Sequence, residues 1–192
     1  VTVEIISAII SERFYEDLRT KQQLGYIVSC GVKAIAEARS LAFVVQSSVK
    51  PADQLTAAIL KFMNDTKKKL LEPLTDADID VYAKGILLRR TEPDKNLSSE
   101  VTRNWNEIAT GRLQFDRRQA ESKALLDVSK VDIIKYWDEV IMGAGEGRRM
   151  LITEVVPKTG AASSKAPPKS FSIPSQLGID DIDRFRSDLE SG

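Results

Sequence analysis

The chain has 192 residues, 42% of them hydrophobic and 29% charged, enough for one sizeable core under a soluble, globular surface. Twenty-eight basic residues balance twenty-eight acidic ones, so no global field recruits nucleic acid or an anionic membrane. Histidine is absent and Cys30 is the lone cysteine, which excludes an internal disulfide and leaves a single nitrogen or sulfur donor of the kind zinc prefers.

The first apolar pattern, Ile6, Ile9, Ile10, Phe14 and Leu18, has helical spacing. From Tyr26 to Val32 apolar residues alternate with small or polar ones, so Gly25 marks the change from helix to strand. Tyr26 to Val32 and Leu41 to Val49 are two predicted strands, and Lys33 to Ser40 is short enough to join them as an antiparallel hairpin. Pro51 opens a helix with Leu55, Ile59, Phe62, Met63 and Leu70 on one stripe, which must stop before Pro73. Thr75 and Asp78 form a capping box for the next helix, with a predicted buried face of Ile79, Tyr82, Ile86 and Leu87. A helix after Leu97-Ser98 carries Val101, Trp105 and Ile108 toward a core and ends at Gly111. Arg117 to Leu126 forms a shorter helix. Ser129 and Asp132 cap another, with Ile133, Ile134, Trp137, Val140 and Ile141 as its apolar positions, until Gly143-Ala144-Gly145 breaks the period. Met150 to Val156 is a third predicted strand.

A hairpin, a long helical excursion and a returning strand predict an α+β fold, an antiparallel sheet with helices packed on one face, rather than alternating βαβ units. Residues 1–156 form its domain. Residues 157–170, rich in proline, serine and alanine, read as a linker, and residues 171–192 as a tail with a short helix around Ile182, Phe185 and Leu189. Three strands leave a long apolar edge open, so edge-to-edge pairing into a homo-dimer is an expectation. The run Lys67-Lys68-Lys69 lies at a helix C-terminus, where cations complement the dipole, and reads as a solvated helix end, not a nucleic-acid patch. Asp76, Asp78 and Asp80 crowd a helix N-terminus, where acids serve capping. Pro167-Pro168 reads as a spacer, and Trp105 and Trp137 as core residues. No stretch approaches the roughly 18 consecutive apolar residues that cross a bilayer, and no leader pattern opens the chain. A cytoplasmic setting is the expectation, any signal upstream of Val1 lying outside this sequence.

The residues Arg19-Thr20-Lys21-Gln22-Gln23-Leu24-Gly25-Tyr26 resemble the R-T-K-E-Q-L-G-Y signature in the last domain of the pitrilysin family of inverzincin metallopeptidases, with Gln22 in place of the usual acid. The resemblance continues through Phe14-Tyr15, Leu41 to Ser47, Trp105-Asn106-Glu107-Ile108, Phe115-Asp116-Arg117 and Asp132-Ile133-Ile134-Lys135. It covers most of the chain, with a further similar stretch from Ile179 to Leu189. It implies a sheet whose first strands lie upstream of Val1. It also implies a zinc metalloendopeptidase whose metal is held by an H-x-x-E-H helix in the N-terminal half of a longer polypeptide, while this segment binds no metal and is inactive alone. Arg19 and Tyr26 inherit the role of positioning the substrate peptide across an enclosed chamber. On the residues alone, Arg19 reads first as a helix C-terminal cation and Tyr26 as a strand aromatic, and it is the resemblance that favours the positioning role. A non-catalytic scaffold or partner subunit of the same fold is the alternative function.

Overall fold

A computed structural model describes residues 1–35, 38–143 and 150–156. Helix α1 (Thr2–Tyr15) is its centre: Val3, Ile5, Ile6, Ile9, Ile10 and Phe14 are all buried, an apolar face about half of the helix's circumference wide. It continues through a wide π turn, Glu16–Lys21, in which Leu18 is fully buried. Strands β1 (Ile27–Ile35) and β2 (Ala38–Gln46) pair antiparallel from Ile27↔Gln46 to Ile35↔Ala38. The strands are thus longer at the turn end than the alternation suggests, and β2 stops at Gln46, short of Val49. Val28, Cys30, Leu41, Phe43 and Val45 share one face of the hairpin and pack on the core around α1, while Ile27 and Val44 on the other face meet solvent. Phe14 meets Phe43 and Phe62 edge to face, both at 5.1 Å between centroids, a geometry that suits the aromatic quadrupoles.

Helix α2 (Ala52–Thr66) opens at Pro51, buries Leu60, Phe62 and Met63, and ends in a second π turn, Lys67–Leu71. The capping boxes at Thr75/Asp78 and Ser129/Asp132 are both formed, each with reciprocal side-chain and backbone bonds, and they start α3 (Asp76–Thr91) and α6 (Lys130–Tyr136). In α3 the buried positions are Ile79 and Ala83, with Tyr82, Ile86 and Leu87 half-buried. Helix α4 (Leu97–Ala109) ends at Gly111, whose φ of 70° is the left-handed conformation that favours glycine, and α5 spans Arg117–Leu126 as expected. Trp137 begins a third π turn, Trp137–Ile141, and is buried, whereas Val140 there is exposed.

Two expectations are overturned. Met150–Val156 does not join the sheet, which has two strands among the described residues. Met150 packs on the core and Glu154 accepts a hydrogen bond from Thr56 Oγ1 at 2.6 Å, but Leu151 and Val155 are exposed. A strand needs a neighbour to receive its backbone groups, and this segment lies against α2 through Thr56 and not along either outer edge of the hairpin. The second correction concerns α4. Val101, Trp105 and Ile108 face solvent, and the buried residue of that helix is Glu107. Glu107 accepts from Arg117 Nε at 2.8 Å and Arg112 Nε at 3.3 Å, and Arg103 pairs with Asp94 at 3.0 Å, so ion pairs turn the polar face of α4 toward the body. The predicted linker and tail, residues 157–170 and 171–192, lie outside the described residues.

A larger polar lattice ties the layers. Glu4 of α1 accepts from Arg39 of β2 and Arg90 of α3, and Glu121 of α5 accepts from Arg39 at 2.7 Å and Arg117 at 3.3 Å. Partly buried pairs of this kind add little net stability, because the cost of desolvating the charges offsets much of their attraction.

Candidate functional site

The site is built where α1 gives way to β1. Buried Leu18 anchors the π turn, and Leu24, also buried, closes the loop by donating its amide to Leu18 O at 2.9 Å. Between them the chain reverses through Gln23, whose φ of 50° is unusual for a residue with a Cβ. Gly25 follows against the end of β2, and a Cβ there would stand 2.1 Å from Gln46 O. Glycine is required at this position by close backbone approach. Tyr26 then donates its amide to Gln46 O at 3.0 Å and extends the ladder by one residue.

This turn brings Arg19 and Tyr26 together. Arg19 donates from Nη1 to Gly25 O at 2.6 Å, and its guanidinium carbon lies 4.9 Å from the centroid of the Tyr26 ring. The first contact fixes the arginine against the loop it encloses, and the second adds a cation–π attraction worth about 0.5–1 kcal/mol at such an exposed place. Tyr26 is 82% exposed, so its hydroxyl is free to meet a ligand, and Arg19 is half-buried with donors to spare. Both line an open surface pocket of about 500 Å³, with Tyr15, Gln23, Ser47 and Ser48 among its other walls. Ser47 Oγ accepts the amides of Val49 at 3.1 Å and Lys50 at 2.9 Å, which shapes the rim contributed by the end of β2. The pocket presents a permanent cation, a phenol and neutral amide and hydroxyl groups, a set suited to the carbonyl oxygens and amides of an extended peptide.

Both predicted site residues therefore share one surface. Sequence reasoning missed Gln23, Ser47 and Ser48. The similarity that runs from Leu41 to Ser47 flagged the second strand without saying that its end folds beside the turn. A second pocket of about 490 Å³ lies along α4 and α5, lined by residues such as Ser98, Thr102, Arg103 and Arg117, the arginines being engaged in ion pairs.

Zinc does not fit this chain. A catalytic zinc takes histidine, cysteine or carboxylate ligands in a tetrahedral set, and the chain offers no histidine and one cysteine, Cys30, which packs on the hairpin's inner face. Among the described residues no three acidic or cysteine side chains are grouped so that they could hold a metal ion.

The family described as "PQQ synthase PqqF-like, C-terminal lobe domain 4" matches residues 5–105, just over half of the chain, and the chain belongs to this C-terminal-lobe family of pitrilysin-type proteins. Insulin-degrading enzyme of Homo sapiens is 34% identical over 139 residues, which are 72% of this chain and 13% of that protein. Insulin-degrading enzyme of Drosophila melanogaster is 29% identical over 190 residues, 97% of this chain and 19% of the relative, and a nardilysin-like protein of Arabidopsis thaliana is 33% identical over 135 residues, 70% of this chain and 13% of the relative. The chain thus spans less than a fifth of the length of these relatives. A crystal structure of pitrilysin shares the fold with a TM-score of 0.62 at 19% identity, covering 70% of this chain and 14% of that one.

Proposed function

We propose that this chain is the substrate-positioning, C-terminal segment of a zinc metalloendopeptidase, one wall of a chamber whose metal is carried by the N-terminal half of the same polypeptide. The observation that carries this reading is the pairing of Arg19 with an exposed Tyr26 across one open pocket. Attack on a peptide carbonyl builds negative charge on its oxygen, and donors held where that charge develops lower the barrier. Arg19 supplies a planar fork of charged donors, and Tyr26 a directed hydrogen bond from a ring with few rotamers. The bond from Arg19 to Gly25 O keeps both groups in place before the substrate arrives, which limits reorganisation during the reaction. The 192-residue chain alone, without zinc ligands, would bind peptide weakly and cut nothing.

In the complete polypeptide, Tyr26→Phe is expected to lower kcat/KM by about 10²- to 10³-fold, the usual consequence of losing one such donor, with zinc content unchanged. Lys68→Ala, on an exposed helix end, leaves activity as it is. Wild-type turnover in the phenylalanine variant would return Tyr26 to an ordinary strand aromatic and remove the basis of the proposal.

A further inference from the structure

Helix α4 is oriented against the usual rule for a surface helix. At 100° per residue, Asn104, Leu97, Ile108, Val101, Trp105, Ser98, Ala109 and Thr102 occupy one continuous arc of roughly 160° that holds no charge. Glu100, Arg103 and Glu107, all the charged residues of the helix, lie in the opposite arc. The helix is seated by that side: Glu107 is 4% exposed and pinned by Arg117 and Arg112, Arg103 is half-buried and Glu100 lies at the exposed N-terminal turn, while Leu97, Val101, Trp105 and Ile108 are 74%, 56%, 61% and 47% exposed. The helix cannot roll to hide this stripe without breaking the pairs to Arg112 and Arg117 and leaving Glu107 unpaired, a severe cost for a desolvated carboxylate.

We infer that this face of α4 is a permanent docking surface for an uncharged, aliphatic or aromatic face of another domain of the same longer polypeptide, an inference that rests on the reading of this chain as one segment of such a polypeptide. Two facts select that occupant. The human relative has roughly seven-eighths of its length outside the matched region, so a covalently linked partner is always at hand. The stripe also lacks charge and centres on a tryptophan, with exposed Glu100 only at its rim, the composition of permanent interfaces and not of a transient, steered encounter. In the free chain such a stripe would be an aggregation liability, and its ordered outward presentation by ion pairs makes sense when something covers it.

The test uses the full-length polypeptide and hydroxyl-radical footprinting, which needs no substitution. Oxidation at Trp105 is expected to be as slow as at buried Trp137, and several-fold faster oxidation at Trp105 would overturn the inference. In a Cys30→Ala background, Val101→Cys and Ile108→Cys are expected to react with a maleimide at least tenfold more slowly than Lys84→Cys and Lys123→Cys on exposed positions. Protection that vanishes on dilution would assign the face to a second copy, and protection that appears only with added peptide would assign it to substrate; either overturns the proposal. These readouts are independent of turnover. A stripe that labels freely while Tyr26→Phe still impairs cleavage defeats this inference and leaves the positioning role standing, and the converse result separates the two in the other direction.

Discussion

Replacing Gly25 by alanine tests whether the turn is held by backbone proximity. The added Cβ would lie 2.1 Å from the Gln46 oxygen, 2.8 Å from its carbonyl carbon and 3.3 Å from the Ser47 Cα. A carbon-to-oxygen contact relaxes only at about 3.3 Å, so the end of β2 must retreat by about 1 Å. That retreat carries the Tyr26 amide beyond bonding distance of Gln46 O, now 3.0 Å away, at about 0.5–1.5 kcal/mol. Overpacking adds about 1–3 kcal/mol, and the smaller entropy of an unfolded alanine offsets about 0.4–1 kcal/mol. The net loss is about 0.5–4 kcal/mol, centred near 2, and with a urea slope of about 2 kcal/mol/M the midpoint falls by about 1 M. Urea titration followed by circular dichroism measures it. Gly31→Ala is the control: it sits in β1 with nothing within 4 Å of the new Cβ, and a small gain is expected. A Gly25→Ala midpoint within about 0.2 M of the parent would refute the steric reasoning.

The two tryptophans separate core from surface in the same assay. Trp137→Ala empties a site 1% exposed and is expected to cost about 3–5 kcal/mol, whereas Trp105→Ala in the 192-residue chain stays within about 0.5 kcal/mol of the parent; equal losses would contradict the placement of α4. Acid sensitivity follows from three carboxylates held below their ordinary range, Asp78 by the Thr75 hydroxyl, Asp132 by the Ser129 hydroxyl and Glu107 by Arg117. Because their folded-state values are depressed, the stability they contribute is complete above their unfolded values of 3.8 to 4.5 and is lost as pH falls through the folded ones. Tm should therefore decline below about pH 4.5, and Asp78→Asn with Asp132→Asn should flatten that decline; a parallel acid limb in the double variant would count against the caps as its source. Burial pushes the Cys30 thiol up to about 12, so at pH 8 it should react with a maleimide far more slowly in the folded chain than in urea, and equal rates would show that the hairpin's inner face is open.

Much of the helical layer was legible because its signals are local. The capping boxes at Thr75 and Ser129 and the stop at Gly111 depend on residues three or four apart, and all three fall where the spacing places them. The α1 stripe from Ile6 to Leu18 is buried for the same reason: helical periodicity states directly which face avoids water. The same periodicity misled at α4. Leu97, Val101, Trp105 and Ile108 do form one face, but spacing cannot say whether the cover is the rest of this chain or something else. The orientation was decided by Glu107 and Arg117, whose pairing joins two helices across a loop and has no local signature. Met150–Val156 shows the matching limit for strands, since alternation reports a propensity to pair and never supplies the neighbour.

The site combines both kinds of information, which is why its residues could be named while its geometry could not. Arg19 and Tyr26 are seven positions apart, and the change of period at Gly25 already implies that they flank a bend. What makes them a unit is nonlocal: the end of β2 approaches Gly25 so closely that only hydrogen fits, and this contact sets where Tyr26 starts its ladder. The π turn then decides where Arg19 points. A wide turn places side chains differently from a regular helix, and with Leu18 locked in the core and Leu24 bonded back to it, the guanidinium is left over the tyrosine ring and against Gly25 O. The two donors therefore share one support. Any change that loosens the β2 end should weaken both together, so under the proposed positioning role Gly25→Ala in the complete polypeptide ought to resemble the Arg19→Ala, Tyr26→Phe double variant in turnover more closely than either single variant, and an effect no larger than that of one single variant would mean that the two side chains are held independently.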